Sequence, residues 1–147
     1  MENRSLAIGS DHAGFELKKI IVEHLRSQGI EVTDLGTNDI ASTDYPDHAH
    51  RVAELVSNGA SDLGILVCGS GNGVNMVANK HSGVRGALAW NEEVAALARQ
   101  HNNANVLSLP ARFITAEEAI RIVQGFMNAK FEGGRHERRV NKIETSC

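Results

Sequence analysis

Short apolar runs alternate along the chain with longer segments whose apolar positions follow a helical period, the rhythm of β-α-β units. The first run, Leu6-Ala-Ile8, ends in Gly9-Ser10-Asp11-His12. Leu17, Ile20, Ile21, His24 and Leu25 then mark one face of a helix that stops near Gly29. Ile30 to Leu35 reads as a second strand, closed by Gly36. The polar stretch from Thr37 to Asp44 is the longest irregular segment and is expected to be the most mobile. Pro46 suits a first helical turn, and Ala49, Val52, Ala53 and Val56 stripe the helix that follows. Leu63 to Cys68 is continuously apolar, as a strand covered on both faces should be. It runs into Gly69-Ser70-Gly71-Asn72-Gly73, after which Val74, Val77 and Ala78 begin another helix. Gly86 to Trp90 is a fourth strand; Val94, Leu97, Ala98 and His101 share a face of the next helix; Asn105 to Leu109 is the fifth strand. Thr115 and Glu118 form a capping box before a helix striped by Ile120, Val123 and Met127.

This order predicts a single domain over residues 1–147: a three-layer α/β/α, Rossmann-like sandwich around a five-stranded parallel sheet. The tail from Gly133 to Glu144 is helix-compatible, but Val140 and Ile143 give it little apolar area. It is stable only when docked, and a partner subunit is the expected surface. Ligands in such sheets bind beyond the carboxyl ends of the strands, so the loops after Ile8, Leu35, Cys68, Trp90 and Leu109 carry the interest.

Composition narrows the function without naming it. A hydrophobic share of 41%, a charged share of 22% and a net charge of −3 offer no basic field for nucleic acid. Apolar runs of about six residues fall far short of the roughly 20 needed to cross a bilayer. The opening MENRSLAIGS lacks the apolar stretch of a signal peptide. The cysteines, Cys68 and Cys147, make no disulfide framework, so a reducing cytoplasm is expected.

Three glycines between a strand and a helix expose backbone N–H groups that can cradle an oxyanion or phosphate; the alternative is merely a tight turn. The G-x-G-x-G spacing does not match a dinucleotide fingerprint, and no G-K-[ST] follows for a P-loop. Cys68 is either core or, beside those amides, a thiol made reactive by a helix N-terminus. Asp11 and His12 are either a solvated pair or ligand-edge groups. His101, at a helix C-terminus where the macrodipole favours the imidazolium, is either a core or interface histidine or a functional one. Arg112, Arg135, Arg138 and Arg139 are either a solvated face or a clamp for phosphate. His48 and His50 stand two apart on a helix and face apart, so no set of histidines has metal-ligand spacing, and no metal or other cofactor is expected.

Five segments, in order along nearly the whole chain, resemble the ribose-5-phosphate isomerase B / galactose-6-phosphate isomerase family: GSDHAGFELK at 9–18, TDYPDHA at 43–49, CGSGNGVNMVANK at 68–80, ARQHNNANVLSL at 98–109 and GGRHERRV at 133–140. The resemblance implies a homodimer, or a dimer of dimers, with active sites at the subunit interface and a phosphorylated sugar as substrate. It implies Cys68 as the base that moves the C1/C2 proton and His101 as the group that opens the sugar ring. Asp11 and Ser70 complete the implied catalytic set. The amides of Gly69, Ser70, Gly71, Asn72 and Gly73 would hold the enediolate oxyanion, with Asp11, His12, Asn102, Arg112, Arg135 and Arg139 binding hydroxyls and phosphate. The G-S-G-N-G form of the loop resembles a subgroup that uses a glutamate just after it. That position is Val74 here, which accepts no proton, so the cysteine mechanism is the one implied.

The implied activity is aldose–ketose isomerisation of ribose 5-phosphate in the pentose phosphate pathway. Rivals are a six-carbon substrate (allose or galactose 6-phosphate) and a non-catalytic sugar-phosphate sensor, which would have no need of Cys68 or His101. Topology adds an expectation of its own. Cys68 ends a strand, whereas the helix carrying His101 starts at that edge and runs back. The two should lie about a strand's length apart, roughly 17–20 Å, so one chain cannot apply both to one sugar.

Overall fold

The computed structural model describes residues 4–145; Cys147 lies outside them. Five strands alternate with helices: β1 Leu6–Ser10, α1 Phe15–Ser27, β2 Val32–Asp34, α2 Tyr45–Ser57, β3 Leu63–Cys68, α3 Asn72–Ala78, β4 Gly86–Leu88, α4 Glu92–Asn102, β5 Val106–Pro110, α5 Ala116–Asn128 and α6 Arg135–Val140. The sheet is parallel throughout, in the order β2-β1-β3-β5-β4. Connections run outward from β1 in one direction and then cross to β3, so the β1 and β3 loops flank the switch point where such sheets bind ligands.

Alternation along the strands builds two cores. Leu6, Ile8, Leu63, Ile65, Val67, Leu107 and Leu109 pack with α1, α4 and α5. Ala7, Leu66, Cys68 and Val106 pack with Ala49, Val52, Ala53 and Val56 of α2 and with Val74 and Ala78 of α3. These are the two faces of a pleated sheet, each roofed by helices. The predicted capping box is present, with Thr115 Oγ1 accepting from the Glu118 N–H at 3.1 Å. Among the described residues no helix is long and apolar enough to cross a membrane.

Several expectations are corrected. β2 and β4 are shorter than their apolar runs, and Trp90 is exposed beyond β4. α3 starts at Asn72 rather than Val74. Ile20 and Leu97 face outward, while the buried face of α4 is Ala95, Ala98 and Arg99. Small residues win there because α4 lies hard against α5: a Cβ on Gly125 would stand 2.7 Å from Glu92 Cγ. On α5 the buried stripe is Ala119, Ile122, Val123 and Phe126, with Ile120 and Met127 at its margin. The Thr37–Asp44 loop is tethered, since the Thr43 N–H donates to His12 Nδ1 at 3.2 Å. Within the chain the tail helix buries no residue and rests against α4, where the Glu132 N–H donates to Gln100 O at 3.0 Å, and its outer face stays free for the partner surface expected for it.

Lys18 is 1% exposed. Its ammonium bonds both Asp34 oxygens at 2.7 and 2.8 Å, and Asp34 Oδ1 also accepts from the Gly36 N–H at 3.0 Å. This pair ties α1 to the carboxyl end of β2. Asp34→Ala is expected to cost about 3–5 kcal/mol in urea unfolding, because a buried ammonium is left uncompensated. Lys18→Met/Asp34→Ala should recover part of that loss. A single-mutant loss below about 1 kcal/mol, as at exposed pairs, would remove the anchoring role.

Candidate active site

Three loops at the carboxyl ends of β1, β3 and β5 are joined by backbone hydrogen bonds. Asp11 N–H donates to Val67 O at 3.3 Å, Ala111 N–H to Cys68 O at 2.8 Å and Arg112 N–H to Gly69 O at 3.0 Å. Glycine permits this closeness: a Cβ on Gly14 would stand 2.6 Å from Val67 O. The Gly14 N–H donates to Asp11 Oδ1 at 3.0 Å, which fixes the carboxylate at the mouth of the first helix.

Between these loops lies a cavity of about 360 Å³ lined by Asp11, His12, Tyr45, Cys68, Arg112 and Phe113, with Ala13, Gly69, Ser70 and Gly73. Cys68 is 5% exposed, and its Sγ accepts from the Gly71 N–H at 3.1 Å, which fixes the sulfur at the turn. Gly71 needs its glycine, with φ +76° and a virtual Cβ only 2.4 Å from Leu88 Cδ1. The Arg112 guanidinium lies over Gly69, 3.0 Å from a virtual Cβ there.

The loop is narrower as an oxyanion cradle than the sequence suggested. The Gly71 N–H is committed to Cys68, and the Asn72 N–H to Ser70 Oγ at 3.3 Å. Neither Gly71 nor Asn72 lines the cavity; Gly69, Ser70 and Gly73 do. Tyr45 was overlooked. Its ring covers the turn, 2.7 Å from a virtual Cβ on Gly73. Its signal was its place in TDYPDHA, but before Pro46 it read only as a helix start. Phe113, 74% exposed at the rim, gave no signal.

His101 belongs to a separate cavity of about 340 Å³, with Asn102, His136, Arg139, Val140 and Ile143. The two cavities share no lining residue, so one chain does not bring Cys68 and His101 together. Arg135 begins α6 and lines neither. The second cavity also corrects the reading of the histidines. His101 Nε2 and His136 Nε2 lie 3.5 and 3.8 Å from Glu132 Oε1, and the two rings stack at 4.2 Å with planes 7° apart. Sequence spacing could not foresee this, because the return of the chain after α5 brings residues 132 and 136 to the last turn of α4. Desolvation pushes the His136 imidazole below its ordinary value, as do the neighbouring charges of His101, Arg135 and Arg139, against the pull of Glu132.

The profile of the Ribose/Galactose Isomerase family matches residues 6–143. The chain belongs to that family. A Mycoplasma genitalium member named probable ribose-5-phosphate isomerase B is 56% identical over 95% of this chain and 93% of its own. The Escherichia coli ribose-5-phosphate isomerase B is 45% identical over 95% and 94%. A solved family structure, the Thermotoga maritima ribose 5-phosphate isomerase, superposes with TM-score 0.94 at 48% identity over 97% of this chain and 98% of that one. The Mycoplasma genitalium enzyme with bound ribulose-5-phosphate superposes with TM-score 0.91 at 55% identity over 95% and 93%. The family fold is therefore the one described above.

The mobile-looking loop is held to the site by histidines. His48 Nε2 bonds Thr43 Oγ1 at 3.0 Å, beside the Thr43–His12 contact. Burial, with Arg51 adding repulsion, pushes the His48 imidazole below the ordinary value of 6.5, while Asp47 and Asp11 oppose the shift. The unfolded chain therefore binds the proton more readily, and the stability His48 provides is complete above pH 6.5 and lost as pH falls below it. Urea unfolding between pH 7.5 and pH 5 should show a smaller loss in His48→Gln than in the wild type. Equal pH slopes would contradict this assignment.

Proposed function

We propose that this chain is an aldose–ketose isomerase that interconverts ribose 5-phosphate and ribulose 5-phosphate by metal-free proton transfer through an enediolate. It would serve the pentose phosphate pathway as one domain, residues 1–147, in a homodimer or dimer of dimers. The observation that carries this reading is Cys68 in the wall of a cavity that also offers a carboxylate, an imidazole, a guanidinium and a glycine turn. A relative 55% identical has been solved with ribulose-5-phosphate bound, which supports the same substrate here.

The chemistry follows from proton transfer alpha to a carbonyl, which needs a positioned base and a stabilised oxyanion. As thiolate, Cys68 takes the proton from C2. The C2 electron pair forms the C1=C2 bond, and the C1 carbonyl oxygen becomes the enediolate oxyanion. Cys68 returns the proton to C1, while the O2 proton passes to O1, which leaves a hydroxyl on C1 and the ketone oxygen on C2. Backbone N–H groups of residues 69, 70 and 73, with the Ser70 hydroxyl, are the donors placed to receive the oxyanion. Asp11 and His12 meet the sugar hydroxyls. Arg112 holds phosphate at a distance from the reacting carbons, so its binding energy orients them.

Ring opening requires a proton to leave O1 and another to reach the ring oxygen. His101 of a second copy is assigned that step, with Asn102, Arg135 and Arg139 of the same copy closing on hydroxyls and phosphate. The separation of the two cavities supports this assignment, as do exposed Phe113 and Trp90 at the carboxyl-end loops. A reducing cytoplasm suits an enzyme that works through a free thiol.

A coupled assay of ribose 5-phosphate conversion, run after EDTA treatment and against allose 6-phosphate, tests the reading. The five-carbon sugar should turn over faster and without added metal. Cys68→Ala should lower kcat by roughly 10²- to 10⁴-fold while phosphate binding persists. Turnover unchanged in that variant would remove Cys68 as the base.

A further inference from the structure

The second cavity holds a constellation that proton transfer alone does not need. His101 ends α4, the Glu132 backbone is pinned to that same turn through Gln100 O, and α6 returns His136 four residues after Glu132. One ligand atom from each of the three side chains falls within 4.8 Å of the others. We propose that His101, Glu132 and His136 form a binding site for a zinc-class divalent transition-metal cation, which inhibits the isomerase by withdrawing His101 from ring opening.

The geometry fits the ion. A tetrahedral zinc with bonds of about 2.0–2.2 Å sets its ligand atoms roughly 3.3–3.6 Å apart. The Nε2–Oε1 separations here are 3.5 and 3.8 Å, close to that spacing, and the two stacked rings must swing out of their parallel planes for both Nε2 atoms to face one ion. His101 and Glu132 are 40% and 49% exposed, which leaves them free to tilt and gives the ion an entry path. Two imidazoles and one carboxylate suit zinc, nickel or cobalt, and do not suit magnesium or calcium, which want oxygen alone. A cation also meets two imidazole nitrogens and a carboxylate at once. His101 and His136 line the cavity together with Asn102 and Arg139.

Binding stands on these positions alone; inhibition rests on the ring-opening role proposed for His101. Cobalt(II) added to metal-stripped Cys68→Ala/Cys147→Ser protein separates the two, because no thiolate is left to ligate. Stoichiometric uptake with tetrahedral visible bands, displaced by zinc, is expected. His136→Ala and Glu132→Ala should each weaken uptake by at least about 10-fold, since loss of even an outer partner costs that much. His50→Ala should leave it unchanged, although His50 and His81 pair at 2.7 Å and could themselves attract an ion. Uptake unaffected by the His136 and Glu132 changes, or abolished by His50→Ala, would overturn the site. In the wild type, zinc should inhibit ribose 5-phosphate turnover, EDTA should reverse it, and the half-inhibiting concentration should rise at least about 10-fold in His136→Ala. Cobalt uptake at the cluster without zinc inhibition would overturn the inhibitory role and leave the site. Lack of any turnover in metal-free wild type would instead sink the isomerase reading.

Discussion

Backbone hydrogen bonds between the loops after β1, β3 and β5 are the constraint on which the site depends. They place Asp11, Cys68 and Arg112 around one cavity without relying on any side chain to hold the loops together. Such bonds form only because the strands are adjacent and parallel in the order β1-β3-β5, and because Gly14, Gly69 and Gly71 let backbone and side chains approach closely. Rigid elements therefore position Cys68, the proposed base, and its sulfur is fixed by the neighbouring Gly71 N–H.

The same parallel topology separates what it positions. A helix that leaves the carboxyl edge must run back, so α4 carries His101 away from the loop that precedes it. The tail then docks on the end of α4 with a helix that buries nothing, so its polar and basic residues stay on the surface. The cavity of the proposed base and the cavity of the proposed ring opener share no lining residue, which supports the proposed sharing of one site between two copies.

Much of this was legible in the sequence, for identifiable reasons. The α2 stripe and the β3 run show plainly because burial there is almost wholly apolar, His48 excepted, and local in sequence. α4 misled because its packing against α5 is made by alanines and the stem of Arg99, while Val94 and Leu97 sit outside the buried face. The burial of Lys18 has no sequence signal because its charge is cancelled by Asp34, sixteen residues away. The glycine loop was found at once, but which of its amides face the ligand depends on internal bonds to Cys68 Sγ and Ser70 Oγ that no motif records. Tyr45 and Glu132 escaped because tertiary contacts alone bring Tyr45 to the Cys68 cavity and Glu132 to His101.

The central claim is that base and ring opener reach one sugar from different copies of the chain. Cys68→Ala and His101→Ala proteins, each inactive and each folded, are dissociated and reassociated together. The account predicts that verified heterodimers regain activity, because one of their two sites carries both lesions and the other carries none. Verified heterodimers as inactive as their parents would contradict it.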